Sequence, residues 1–315
     1  MDPRVGSMLD WLPDDVLAII VSGLEARARF AALATCAALR RVLRTTRWPL
    51  LRLTLGRRCA YWPDALPVLH EAQWRAATLY APRASVLWVL GSERADATRL
   101  AHLLRRAART VRSLRLVQVP PQAWLQLRTA SQLRGLHLEW SGPRAIHWME
   151  TGVLRHLPAL RSLTLPARFA THLAPRDEVD RLRLHSSRDF RAASDAGTLE
   201  AVASAFPMLR HLHLDCYRHV ALERAPPTLP HVVDLQCDRF ITYAVTPSWR
   251  TREISTHLGG LCDMLPALQT LRITLASVVS VDGALGHVFA RRKDLKIVVE
   301  GGRPGPLRHA GILRL

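Results

Sequence analysis

LRHLHL, residues 209–214, places Leu209, Leu212 and Leu214 three and then two positions apart, with Arg210, His211 and His213 between them. The same hexamer returns as LRGLHL at 133–138, LRSLTL at 160–165 and LQTLRI at 268–273. The alternation at its end is that of a short strand with one apolar face. A strand of that length cannot bury its face alone, so recurrence along the chain points to stacked units, each covering the next.

Weaker copies fill the intervals: Leu50/Leu53/Leu55, Val111/Leu114/Leu116, Val179/Leu182/Leu184, Val232/Leu235/Cys237, Leu295/Val298 and, least regular, Trp74/Ala77/Leu79. From Val111 the starts are 22, 27, 19, 30, 23, 36 and 27 residues apart. Those intervals scatter about the period of leucine-rich repeats, with insertions between strands. The asparagine that commonly follows such strands is missing, because the chain contains none. An apolar-Pro step precedes four of the strands, at Leu157-Pro158, Phe206-Pro207, Leu229-Pro230 and Leu265-Pro266, where proline ends a preceding helix. Amphipathic spacing at 96–109, 198–206 and 254–265 predicts helical connectors. Each repeat therefore reads as helix, proline stop, parallel strand.

The N-terminal part has a different texture. LPDDVLAIIVSGL, residues 12–24, starts with a proline and two acids, as a helix N-terminus favours, and spaces Val16, Leu17, Ile20, Val21 and Leu24 at helical intervals. A second helical stretch over 27–47 carries Phe30, Leu33, Leu39 and Val42, with a break near Thr35-Cys36 that makes a third helix. Some 30 residues cannot bury that much apolar surface unaided, so this module is expected to dock onto something. The division that follows is 9–47 for the module, 48–300 for the repeats and 301–315 for a flexible tail. The fold class is α/β.

With 315 residues and 49% hydrophobic content the chain can build a sizeable core. No run of 18 apolar residues occurs, and the acidic, proline-containing start lacks the basic and apolar runs of a signal peptide, so an intracellular protein of cytoplasm or nucleus is expected. Five cysteines without a CxxC pair suggest buried free thiols rather than disulfides or a zinc knuckle.

A net charge of +18 would ordinarily raise nucleic-acid binding. Here the cations are spread along the chain, and almost all are arginine, with Lys293 and Lys296 the only lysines. A solvated surface accounts for them, and nucleic acid is not the expected partner.

Motifs for catalysis are missing: no nucleophile elbow, no phosphate-cradling glycine loop and no HExxH. Neither catalytic residues nor cofactors are expected. His211, His213, Cys216 and His219 form one cluster of metal-ligating types, but their placement on a strand and its following turn does not close a tetrahedron, and no metal is assigned. Residues between the inward apolars face outward on the strands: Arg112, Arg115, Arg134, His137, Arg161, Thr164, Arg181, Arg183, Arg210, His211, His213 and Arg272. They form either a plain solvated face or a basic surface that selects an acidic or phosphorylated protein, since arginine forks match carboxylate and phosphate. The candidate substrate-binding set is Arg134, His137, Arg161, Arg181, Arg183, Arg210, His211, His213 and Arg272.

Leu12-Pro13-x-Asp15-Val16-Leu17-x-x-Ile20, then Leu24, Phe30, Cys36 and Leu39, resembles the F-box, which tethers substrate receptors to a Skp-type adaptor and a cullin. Thr35 and Leu39 stand where that family often has valine and tryptophan. An F-box followed by irregular leucine-rich repeats is similar to the architecture of ubiquitin-ligase substrate receptors. The resemblance implies a non-catalytic receptor that binds the adaptor through Leu12, Pro13, Val16, Leu17, Ile20, Leu24, Phe30, Cys36 and Leu39, and a protein substrate through the repeats. The alternative is a leucine-rich-repeat interaction scaffold with no ubiquitin link, its N-terminal helices capping the solenoid's end.

Overall fold

The computed structural model describes residues 12–24, 39, 41–42, 48–54, 74, 77–78, 81–91, 97–140, 152–186, 194–218, 228–241, 246–275, 285–286, 288, 292–301 and 312–313. The chain forms two compact units, Met1–Trp140 with His156–Ala159, and Ser141–Arg155 with Leu160–Leu315.

In the first unit, helix α1 (Asp14–Gly23) precedes strands β1 (Trp48–Thr54), β2 (Ala84–Leu90), β3 (Ser113–Val117) and β4 (Gly135–Glu139). The strands are parallel neighbours in sequence order. Register stacks Leu51, Leu87, Leu114 and Leu136 in one inward column and Leu53, Val89, Leu116 and Leu138 in a second. All eight are buried. Helix α2 (Ala97–Ala107) buries Leu100, Leu103 and Leu104 and packs beside the 3-10 helices Ala81–Arg83 and Pro121–Thr129.

The second unit continues the same device through β5 (Ser162–Pro166), β6 (Arg181–His185), β7 (His211–Leu214), β8 (Asp234–Cys237), β9 (Thr270–Leu275) and β10 (Lys296–Gly301), again parallel in sequence order. Its inward columns are Leu163, Leu182, Leu212, Leu235, Leu271 and Ile297, then Leu165, Leu184, Leu214, Cys237, Ile273 and Val299. Ile312–Leu313, in the segment read as a tail, form a short β11 antiparallel to β10.

The α/β class, the parallel strand of each repeat and the solenoid-like stacking are as the hexamers imply. Three strand registers differ from the sequence reading. On β1 the inward residues are Leu51 and Leu53, so the frame is Trp48/Leu51/Leu53, two residues ahead of Leu50/Leu53/Leu55. Trp74 and Ala77 are helical, and the strand of that repeat is β2, whose frame Ala84/Leu87/Val89 is hidden by an alanine in first place. On β10, Ile297 is inward while Val298 lies beside Arg272 on the outer face, a one-residue slip that exchanges the two faces.

Connectors scale with the interval they must fill. Helices α3 (Ala196–Ala205) and α4 (Pro247–Asp263) sit in the 30- and 36-residue intervals. The 22- and 19-residue intervals carry 3-10 helices instead, Pro121–Thr129 and Ala167–His172. A 3-10 turn rises about 2.0 Å per residue and so spans the repeat with fewer residues, which is why short intervals do not hold the expected α-helix. Asp195 caps α3, its carboxylate accepting from the Thr198 amide and hydroxyl at 2.9 Å each. Past the end of α4, Arg292 ties the turn that leads into β9: its Nη2 donates to the Leu268 carbonyl at 2.6 Å and Nη1 to that of Leu265 at 3.3 Å. Buried Arg176 likewise donates to the Leu154 carbonyl. Part of the arginine content is thus structural. No helix among the described residues is long and apolar enough to cross a membrane.

Candidate interaction surfaces

Helix α1 carries apolar side chains on two sides. Leu17 and Val21, four residues apart, are fully buried together with Leu39 and Val42. Val16, Ile19 and Ile20, spaced to share the other side, are 37%, 71% and 42% exposed. An ordinary amphipathic helix would put charge there. Pro13, Asp14 and Asp15 are also exposed, Leu12 and Leu24 half-buried. Asp14 is held by Arg41, whose Nη2 lies 2.6 Å from Oδ1 and whose Nε lies 3.2 Å from both carboxylate oxygens.

The expected adaptor set is therefore split. Val16, Ile20 and Pro13 face outward; Leu17 and Leu39 are buried; Phe30 and Cys36 lie outside the described residues. Ile19, which is not in the expected set, shares this exposed side, as its three-residue spacing from Val16 implies.

The outward faces of the strands differ between the units. On β6–β9 cations and carboxylates interlock. Arg183 Nη2 lies 2.8 Å from Asp215 Oδ1, and His213 Nε2 lies 2.8 Å from Asp238 Oδ2 and 3.6 Å from Asp215 Oδ1. One rung over, Asp234 takes His211 Nδ1 at 3.5 Å and Arg272 Nε at 3.6 Å. The Gln236 amide donates to Asp238 Oδ1 at 2.9 Å. Arg181 is exposed and 3.9 Å from Asp180, and Arg161 donates to the Glu178 carbonyl at 2.9 Å. Arg210 is exposed at the start of β7.

The predicted basic surface is thus, over β6–β9, a mixed and largely self-neutralised one. Asp215, Asp234 and Asp238 were the residues missed. Two of them, Asp215 and Asp238, directly follow the last inward residue of their strand, a recurrence visible in LHLD and LQCD.

His213, Asp215 and Asp238 place one possible ligand atom each within 4.8 Å of one another. Arg183 on Asp215 and Gln236 on Asp238 already serve those carboxylates, which makes the group an ionic staple across β6, β7 and β8. Cys216, expected near His213 and His211, is buried, and desolvation pushes its thiol up, away from the thiolate a metal needs. His219 lies outside the described residues. The Cys237 and Cys262 thiols are also buried and free, Cys237 pushed well up and Cys262 to about 12, in both cases chiefly by burial.

On the first unit's outer face the rung Trp88, Arg115 and His137 runs across β2–β4. The Arg115 guanidinium sits 5.7 Å from the Trp88 ring centroid, and His137 Nε2 is 3.7 Å from Glu139 Oε2. The preceding rung is Val86, Ser113 and Gly135, small at its β3–β4 end. Arg112 and Arg134, just ahead of β3 and β4, are exposed and make no ion pair among the described residues.

No family model matches the sequence, and no curated protein matches it. Among solved structures, a chain from the crystal structure of the Rad7 and Elc1 complex in yeast is similar at 14% identity and a TM-score of 0.40. The match covers 82% of this chain and 69% of that one. At that distance the likeness carries no functional argument.

Proposed function

We propose that the chain is a non-catalytic substrate-recognition subunit of a cullin-type (SCF) ubiquitin ligase. Its N-terminal module docks a Skp-type adaptor, and its repeat surface holds a protein substrate. The observation that carries the docking half is the outward side of α1, where Val16, Ile19 and Ile20 stand exposed on a helix whose other apolar side is already buried. A module that keeps a second apolar side in water gains by covering it with a partner. Such a receptor needs no reactive group, because it acts by raising the concentration of its substrate beside the ligase.

Co-expression with a Skp-type adaptor tests this. The adaptor should co-purify with the full chain, and the exposed pair Ile19→Glu/Ile20→Glu should release it while leaving the chain soluble. Persistence of the complex in that double variant would remove α1 from the interface.

A second reading, a repeat scaffold without a ubiquitin link, draws on the grouping of α1 in the same compact unit as β1–β4. In that case the helices cap the stack, and removing residues 1–47 should make the remainder aggregate. Under the docking reading the remainder stays soluble.

A further inference from the structure

The first unit carries cations that its own acids do not serve. Arg134 N donates to the Arg112 carbonyl at 2.7 Å and Gly135 N to the same oxygen at 2.9 Å, so the two arginines begin adjacent strands side by side. Neighbouring strands lie about 4.8 Å apart, and like charges set opposite one another on them repel. Both side chains are exposed, and neither finds a carboxylate among the described residues. On β6–β9, Arg183, His211, His213 and Arg272 each lie near Asp215, Asp234 or Asp238, and Arg210, at the position that matches Arg112 and Arg134, has Asp180 rather than a second arginine as its neighbour across the sheet.

Beside this pair the surface is low and polar. Ser113 and Gly135, the residues that follow the arginines, are register partners, and an added Cβ at Gly135 would rest 3.6 Å from Ser113 Oγ. The Ser113 hydroxyl thus lies directly beside a backbone position that carries no side chain. The next rung rises as Trp88, Arg115 and His137, with Arg115 set against the indole ring.

We infer that Arg112, Ser113, Arg134 and Gly135 form a binding site for a phosphorylated serine or threonine on a partner protein. Two guanidinium forks match a dianion better than a single carboxylate charge. The three outer oxygens of a phosphoryl group can take both forks and the Ser113 hydroxyl at once, where a carboxylate has only two oxygens. The missing side chain at Gly135 leaves room for the phosphoryl group to approach the backbone. The site deepens the repeat-surface half of the proposed function and makes no use of the adaptor half.

The test uses the immobilised full chain and three peptide libraries with degenerate flanks, their central residue phosphoserine, glutamate or serine. A single-stranded RNA decamer serves as a competing polyanion. Retention of the phosphoserine library should exceed that of the serine library by about tenfold or more, with glutamate between. Arg112→Glu and Arg134→Glu should each remove most of that difference, and Arg105→Glu, the same charge change on the exposed side of α2, should not.

Gly135→Val keeps the charge and suits a strand, since its Cβ meets only ordinary contact at 3.6 Å, yet it fills that position and should weaken retention by a similar factor. Equal retention of the serine and phosphoserine libraries would overturn the site, as would full retention in Arg134→Glu. RNA bound more tightly than the phosphoserine library, with the same two arginines required, would overturn the choice of a protein partner. Adaptor co-purification is read separately, so a failure here leaves the docking result standing.

Discussion

On β6–β9 the outward side chains Arg183, His213, His211 and Arg272 each lie within 3.6 Å of an aspartate, whereas on β3–β4 Arg112 and Arg134 stand side by side with no such partner among the described residues. The inward columns behind both faces are built alike, mostly from leucine, with valine, isoleucine and Cys237 at a few places. The contrast shows that in a stacked-repeat fold the core fixes the scaffold while the outer rungs vary independently. The β6–β9 face answers most of its charges within itself, whereas the β3–β4 face sets two like charges together, as the inferred phosphate site requires. The difference can be attacked from the interior outward.

The largest effect should be common to both units. Leu136 on β4 and Leu212 on β7 are each 2% exposed and occupy the same inward column position of their own unit. Truncating either to alanine should cost about 2–5 kcal/mol of unfolding free energy, measured by urea denaturation. A cost confined to one of them would break the claim that the interiors are equivalent.

Next comes alkaline pH, which should act on the second unit alone among the described residues, because Cys216, Cys237 and Cys262 all belong to it. Burial raises each folded-state thiol pKa above the ordinary 9.0, with Cys262 reaching about 12. The folded state therefore keeps protons that the unfolded chain gives up above that ordinary value. Stability is fully present below it and falls as pH rises toward the folded-state values. Between pH 8 and pH 10.5 the loss from Cys262 should be about 2 kcal/mol, and Cys262→Ala should flatten that part of the profile. An unchanged profile in the variant would show that the thiol ionises freely.

Much of the scaffold was legible in the sequence because leucine at alternate positions is both the signal and the physical cause of the inward columns. Where the signal failed, the cause was still there in weaker form. Ala84 opens the β2 frame with a small residue, and Lys296–Gly301 alternates so weakly that a one-residue slip looks equally good. The outer surface was less legible. Arginines between leucines announce exposure, but whether an aspartate answers them depends on which residues lie across the sheet. Arg183 meets Asp215 and His213 meets Asp238 over separations of 32 and 25 residues, which no local pattern contains. On α1, helical spacing marked an apolar stripe without dividing it into the buried Leu17 side and the exposed Ile19 side.

The smallest expected effect discriminates best between the two outer faces. Asp215 is 18% exposed and serves Arg183 at 2.8 Å, so Asp215→Ala leaves Arg183 without its carboxylate, while His213 keeps Asp238 at 2.8 Å; the change should cost about 1 kcal/mol, discounted for the solvent around Arg183. Arg134→Ala removes one member of a like-charged pair and no ion pair, so its stability should stay within about 0.5 kcal/mol of the parent and tend upward. Side-by-side urea denaturation gives both values. A loss above about 1 kcal/mol in Arg134→Ala would mean that the arginine is structural, and the contrast with β6–β9 would collapse. A near-neutral change, paired with the loss of phosphopeptide retention in Arg134→Glu, leaves recognition as the reason for keeping two uncompensated charges together.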